Sequence, residues 1–313
     1  MEIRSIRILG CETRIMKNMI DKKYLPFSAD ELKPHFIADV DGQIDYYRKS
    51  ACRYHEFMVN HPKTVGIPLK EAKTPRQIEK DERFWTITAT KNVFDHQSRN
   101  NMLTQLLVKT FGSKPPIPGL HSWEECWDGE LRLYFEACLP SAESYVEWLR
   151  SNLHRRQMIP YVLDAAAREE ARTLEGATHV DAMFLNVTNG FAWLIEAKVL
   201  SDVSYLTSFD NFRNQIARNI DVMLDNTSQS GSGLEKRDPP KCLFSLLTPM
   251  SFKQYSSSRL YGWLMQEYKN NSYALERDLP HRNETNWVDL QKRIGWVTFE
   301  DFQEVCPGAC PWL

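Results

Sequence analysis

One segment constrains this chain more than any other: THVDAMFLNVTNGFAWLIEAKVL, from Thr178 to Leu200. Two apolar runs flank an Asn-Gly pair, a strong hairpin signal because both residues tolerate the positive φ of a tight turn. With Asn189 and Gly190 as the turn, strands are predicted over 179–187 and 191–199. Thr188 then pairs with Phe191, Asp181 lies opposite Lys198, and Glu196 lies opposite Met183. Side chains alternate between faces along a strand, so Asp181, Glu196 and Lys198 project from one face at one end of the hairpin. A four-residue loop is expected to give the same register, whereas a three-residue loop sends Asp181 to the other face.

Both faces of the hairpin are apolar. Met183, Leu185 and Leu194 lie on one, and Phe184, Trp193 and Ile195 on the other. Strands buried on both faces belong to a sheet covered by helices, which points to an α/β fold. Two neighbouring carboxylates repel, and a single lysine compensates them only in part. A divalent cation resolves the conflict, and an all-oxygen donor set suits Mg²⁺ or Mn²⁺ over Zn²⁺. Such an ion offsets charge developing on a phosphate and activates a bound water. The chemistry predicted is phosphodiester hydrolysis. His179 falls on the same face and could reach the edge of the group.

At Asp181, Glu196 and Lys198 the chain resembles the PD-(D/E)XK nuclease superfamily, whose pattern is Asp on one strand and Glu-x-Lys on the next. Val180 stands where that family usually has Pro. The resemblance covers about Ser141 to the end. It implies a restriction-endonuclease-like αβββαβ core with a mixed sheet flanked by helices. It also implies catalytic roles for Asp181, Glu196 and Lys198, metal ligation by Asp181, Glu196 and the Ala197 carbonyl, and Lys198 as base or water-positioning group. Gln215 is nominated as a site neighbour from the following helix and Arg218 as a phosphate contact. An acid from the first core helix is expected, with Glu147 ahead of Glu143, Glu169 and Glu170. A second Glu-x-Lys, Glu71-Ala72-Lys73, sits in a lysine-rich, proline-flanked stretch and reads as a solvated loop.

Residues 1–140 read as a mixed, mostly helical region for recognition or assembly, and 141–313 as the nuclease-like domain. Helices are predicted over Asp45–Asn60, Asn100–Phe111, from Ser141 onward, from Arg156 or Tyr161 to Thr173, over Phe209–Leu224 and over Arg259–Tyr268. Strands are predicted at Leu131–Ala137, Cys242–Thr248 and Ile294–Phe299. His61–Arg83, with three prolines, reads as a connector, and Asn226–Lys241 as a polar loop. Trp123 and Trp127 are expected in the core rather than stacked on bases. Asp202, just past the Glu-x-Lys strand, reads as a turn or helix-capping residue.

The net charge of −2 is not that of a globally basic nucleic-acid binder, so phosphate-tracking surfaces must be local. Residues 1–23 hold six Lys/Arg against three acids, and 150–172 hold Arg150, His154, Arg155, Arg156, Arg168 and Arg172. Seven scattered cysteines fit reduced thiols in a cytoplasmic protein, and Cys306 and Cys310 lack a second pair at zinc spacing. The opening MEIRSIRILGCETRIMK has no secretory h-region, and no apolar run is long enough to span a membrane. There is no P-loop, G-x-S-x-G or H-E-x-x-H motif. The partners expected are DNA ahead of RNA, a second copy in a homodimer, or an ATPase supplied by another chain. The alternative reading is a non-catalytic nucleic-acid-binding or assembly protein that retains the fold.

Overall fold

Five strands form one mixed sheet in the order β1-β2-β3-β4-β5: Leu131–Leu139, Thr178–Asn186, Ala192–Ala197, Cys242–Thr248 and Ile294–Thr298. β1, β2 and β3 run antiparallel in succession, and β3, β4 and β5 run parallel. The structure is a computed structural model that describes residues 26–47, 80–167, 174–205, 209–226 and 231–313. The basic segment 1–23, the Glu71–Lys73 repeat, most of the 61–83 connector, Arg168, Arg172, Glu169 and Glu170 lie outside the described residues. So does most of the helix expected over Asp45–Asn60.

Helices cover both faces of the sheet. On one lie α1 (Glu82–Asp95), α2 (Arg99–Phe111), α3 (Trp123–Trp127) and the C-terminal helix α10 (Phe299–Val305). On the other lie α6 (Gln215–Met223), α7 (Leu260–Asn270), α8 (Ser272–Asp278) and α9 (Trp287–Lys292). Between β1 and β2 run α4 (Glu143–Arg156) and α5 (Pro160–Ala167), and Tyr145 and Leu149 of α4 seed a smaller cluster with Leu174. Burying side chains such as Phe184, Trp193 and Phe302, whose rings stack at 5.6 and 6.3 Å, stabilises by about 1.5–3 kcal/mol apiece. The expected boundary at 140/141 falls just after β1. α1–α3, β1 and the inward side chains of β2–β5 share one hydrophobic cluster, so packing is continuous across that point.

The predicted hairpin forms with a different register. The ladder pairs Ala182 with Ile195, Phe184 with Trp193 and Leu185 with Ala192. Asn186 N–H donates to Phe191 O at 2.8 Å and Gly190 N–H to Asn186 O at 2.9 Å, which closes a loop over residues 187–190. Asn186 organises this loop: its Oδ1 accepts from Thr188 N–H at 2.9 Å, and its Nδ2 donates to Cys126 O and Asp128 O at 3.0 and 2.7 Å. Only Gly190 takes positive φ, at 81°, so the two-residue Asn-Gly turn is replaced by a four-residue one. The register therefore moves by two positions. Asp181 falls opposite Glu196 rather than Lys198, and parity is conserved.

Helix α1 was not legible. Eight of its fourteen residues are buried, so there is no apolar stripe at helical spacing, and its first two residues fall at the end of the expected connector. Thr86 and Thr90 donate their hydroxyls to Glu82 O and Thr86 O, both at 2.7 Å, which lets β-branched polar residues fill a buried helix. Residues 209–214 form a turn rather than the first turns of α6, because the Asn214 side chain caps the helix by accepting from Ala217 N–H. Ser141 does not cap α4; its hydroxyl donates to Gly176 O at 2.8 Å. The described part of the 226–241 loop is pinned by Arg237, which donates to Val222 O and Asp225 O, both at 3.0 Å. Trp123 and Trp127 are core residues, 2% and 1% exposed.

Candidate active site

The candidate site lies where β2 and β3 part. Their ladder ends at Ala182 and Ile195, and the next β3 donor, Ala197 N–H, goes to Asp181 Oδ2 at 2.7 Å. Glu196, fully buried, accepts from Lys198 Nζ through Oε1 at 2.7 Å and from Asn219 Nδ2 of α6 through Oε2 at 2.9 Å. The predicted trio thus shares one face and one hydrogen-bonded cluster, at the carboxyl ends of the parallel strands β3–β5. Ligand sites in open α/β sheets favour that edge.

Two further carboxylates join it. Glu82 opens α1, one residue after its N-cap Asp81, where an acid suits the helix dipole. Its Oε1 lies 3.4 Å from Lys198 Nζ, and its Oε2 accepts from Ser201 Oγ at 2.6 Å. Glu136 lies on β1. The pairs Phe135–Ala182 and Ala137–Val180 bracket it, which places it beside Asp181 with its own ladder pairing skipped. Its φ is +48°, one of two positive values at non-glycine residues among those described. Left-handed backbone costs an L-residue roughly 1–2 kcal/mol, and such strain persists where surrounding structure dictates it. Arg83 Nε pairs with Glu136 Oε1 at 3.3 Å. Glu136, Asp181 and Glu196 therefore stand side by side on three adjacent strands, with Glu82 above Lys198.

Burial is the main force on these groups. It pushes the Asp181 carboxyl well above the ordinary carboxylate range, the Glu196 charge adds to the rise, and Lys198 opposes it. Burial also raises Glu196, against the pull of Lys198. Glu136 is raised by burial, with Arg83 opposing and Glu196 adding. Burial alone would push Lys198 down, but Glu196, Asp181 and Glu82 outweigh it and hold the ammonium above the ordinary lysine value. Lys198 is therefore a cation here, which suits orienting a water or stabilising an anion and disfavours the role of base.

These shifts set a pH dependence. A carboxyl raised on folding binds more protons folded than unfolded, so stability falls as pH rises from its ordinary value, near 4, through the raised one. Lys198, also raised, acts with the same sign in a higher window: its contribution is complete below the ordinary lysine value and is lost as pH rises above it. As pH rises above the ordinary carboxylate value, metal-free protein is expected to lose the stability these groups contribute, and Asp181→Asn to flatten that slope. Thermal melts across pH for both proteins check this; identical slopes would remove Asp181 from the explanation.

The other nominated residues fare differently. Glu147 is exposed on α4, where its backbone carbonyl accepts from Ser151 Oγ, and it bonds to no member of the cluster; the helix-borne carboxylate beside the trio is Glu82. α4 lies between β1 and β2 in the chain, so the helix expected to supply that acid is preceded by α1. Gln215, half-buried, makes no side-chain hydrogen bond to the trio, and Asn219, one turn later, takes that place. Arg218 donates to Gly176 O and Ala177 O at 3.0 and 3.1 Å and pairs with Glu175 at 3.2 Å. His179 is exposed and makes no hydrogen bond to the trio. Arg156 is committed to Asp210 at 2.9 Å, whereas Arg150, His154 and Arg155 are exposed on α4. Asp202 caps α7, accepting from Leu260 N–H and Tyr261 N–H at 2.8 and 3.1 Å. Cys306 and Cys310 are buried thiols of the core.

Among the described residues no three His, Cys, Asp or Glu side chains are already gathered around one point at metal distance. The reason is visible in the bonds above: the Glu196 oxygens are engaged by Lys198 and Asn219, and Asp181 by Ala197. The donor chemistry nevertheless fits a hard cation, since the crowded, desolvated groups are carboxylates and no imidazole or thiol bonds to them. No helix among the described residues is long and apolar enough to cross a membrane. No family model, curated protein or solved structure matches this chain.

Proposed function

We propose that the protein is a metal-dependent nuclease of the PD-(D/E)XK type with a restriction-endonuclease-like core, acting on DNA. The observation that carries this reading is the juxtaposition of Asp181, Glu196 and Lys198 at the parting of two strands, with Glu136 and Glu82 against them. Buried carboxylates held side by side, with raised proton affinity, resist ionising together. A divalent cation removes that conflict. Asp181 and Glu196 would hold Mg²⁺ or Mn²⁺, with the Ala197 carbonyl as the third ligand the resemblance implies and Glu82 within reach. The ion would supply charge neutralisation on the phosphate and a more acidic water.

The chain's own groups do the rest. Lys198 presents an ammonium beside the carboxylates, where it can orient the attacking water and offset charge on phosphorus. Asn219 holds Glu196 in place, and Arg83 restrains Glu136. The helices on both faces exclude bulk water from the cluster and so strengthen each of these interactions.

Cleavage of supercoiled and linear DNA by the full chain is expected in Mg²⁺ or Mn²⁺, and not in a chelator. Asp181→Asn is expected to remove it while leaving the melt intact. Wild-type rates in Asp181→Asn, or rates indifferent to chelation, would overturn the assignment.

A further inference from the structure

The row of carboxylates on β1, β2 and β3 has a cation at each end, and the two differ. Lys198, at the Glu196 end, is 4% exposed and already engaged by Glu196 at 2.7 Å and Glu82 at 3.4 Å. Arg83, at the Glu136 end, has a side chain 38% exposed, and its closest approach to Glu136 is the 3.3 Å ion pair through Nε. Among the described residues its guanidinium makes no hydrogen bond, so its terminal amino groups are open. It is fixed from behind. The guanidinium lies over the Tyr46 ring at 4.4 Å, the Tyr46 hydroxyl donates to Asp81, and Asp81 accepts from Arg83 N–H at 3.1 Å. The stack sets the plane of the fork without using its donors.

Tyr47 supplies a second open donor at the same place. It is 1% exposed, with its ring edge-on to Phe84 at 5.3 Å and tilted against Phe36 at 5.9 Å. Phe84 follows Arg83, and Phe36 packs on Phe135, the residue before Glu136. The Tyr47 hydroxyl makes no hydrogen bond among the described residues, although buried hydroxyls are normally paired. Burial pushes it well above the ordinary phenol range, and the charges of Glu136, Arg83, Asp81 and Asp181 all reach it. It is therefore a donor at neutral pH, aimed at the carboxylate cluster. The planar fork of an arginine matches the paired oxygens of a phosphate, and a phenol adds a single directed donor.

We propose that Arg83 and Tyr47 bind the non-bridging oxygens of the DNA phosphate cut at the Asp181 cluster, so that the region before residue 140 supplies part of the active site. The cutting rests on the nuclease reading, whereas the phosphate contact stands on the two open donors. Arg83 and Tyr47 touch the phosphate and are catalytic residues in that sense; Tyr46 and Asp81 position Arg83.

The test is fluorescence anisotropy of a labelled duplex DNA oligonucleotide with the full chain in Ca²⁺, alongside single-turnover cleavage in Mg²⁺. Arg83→Met should weaken binding about tenfold and reduce the salt slope of log Kd by about 0.9, as for one lost phosphate contact on duplex DNA. Its cleavage rate should fall roughly a hundredfold. Arg83→Lys should keep the salt slope and recover only part of the rate, because an ammonium lacks the fork. Tyr47→Phe keeps the ring between Phe36 and Phe84 and should slow cleavage about tenfold with the salt slope unchanged. Glu136→Gln removes the ion pair from the other side and should bind DNA as tightly as wild type or tighter. Equal losses of binding and salt slope in Glu136→Gln and Arg83→Met would reduce Arg83 to a counter-ion of Glu136 and overturn the contact. So would wild-type binding, slope and rate in Arg83→Met, or a full rate in Arg83→Lys should Arg83→Met fail to fold; cleavage by the wild type would then leave the nuclease reading standing. Absence of wild-type binding to DNA would overturn the contact too, and tighter binding of a matched RNA duplex would overturn the assignment to DNA. A reduced salt slope in Arg83→Met of a protein that never cleaves would uphold the phosphate contact and reject the nuclease reading.

Discussion

Glu196→Ala is expected to destabilise the metal-free protein by about 3–5 kcal/mol, the range for breaking a buried ion pair from one side. Lys198 is only 4% exposed, and its shortest contact is the 2.7 Å bond to Glu196. Without Glu196 the ammonium keeps Glu82 at 3.4 Å and the more distant Asp181 charge, and the fully buried Asn219 amide keeps only Gln215 O at 3.1 Å. Asp181→Asn should behave in the opposite sense. It removes a carboxyl whose charge burial disfavours, and an amide oxygen can still accept from Ala197 N–H, so stability should hold or rise. Denaturant melts of the two variants in chelator decide the matter. Equal losses would mean that the two carboxylates are not divided in this way, with one neutralised by Lys198 and the other left to seek a cation.

Lys198→Met is expected to lower single-turnover cleavage by roughly two to three orders of magnitude, the usual effect of removing one preorganised group that stabilises a transition state. DNA binding should change little, because the ammonium is buried among acids and contributes little to the field outside. The variant leaves Glu196 without its cation, so added Mn²⁺ should restore its melting temperature without restoring its rate. A rate that recovers with the melt would reduce Lys198 to a structural counter-ion.

The hairpin was legible because its information is local. Alternation fixes which side chains share a face, and that parity survives a two-residue slip, so Asp181, Glu196 and Lys198 were grouped correctly with the wrong partners opposite. The slip arose because Asn186, anchored to Cys126 O and Asp128 O, sets the turn from outside the hairpin. β4 and β5 are short, mostly apolar runs ended by Pro249 and by the Thr298 cap, and such signals read directly. Glu82 and Glu136 were not legible as site residues. Glu82 reaches Lys198 across more than a hundred residues of chain from a helix with no amphipathic period, and only packing brings it there. Glu136 did stand in a predicted strand, but its left-handed backbone and its place beside Asp181 follow from the β1–β2 register. The weaker nominees, Glu147, Gln215 and Arg218, were chosen by position in a helix order. The insertion of α4 and α5 between β1 and β2 changes which helix carries the acid, and Asn219 rather than Gln215 faces Glu196 because Asn214 starts the helix late.

The most direct test of the central claim is a calorimetric titration of the full chain with Mn²⁺, repeated on Asp181→Asn and on Glu82→Gln. Weak binding that vanishes in Asp181→Asn, weakens in Glu82→Gln and tightens when an oligonucleotide is present is the expected result, because substrate phosphates complete the shell of a hard cation. Mn²⁺ binding that survives Asp181→Asn unchanged, or tight Zn²⁺ binding that requires His179, would contradict it.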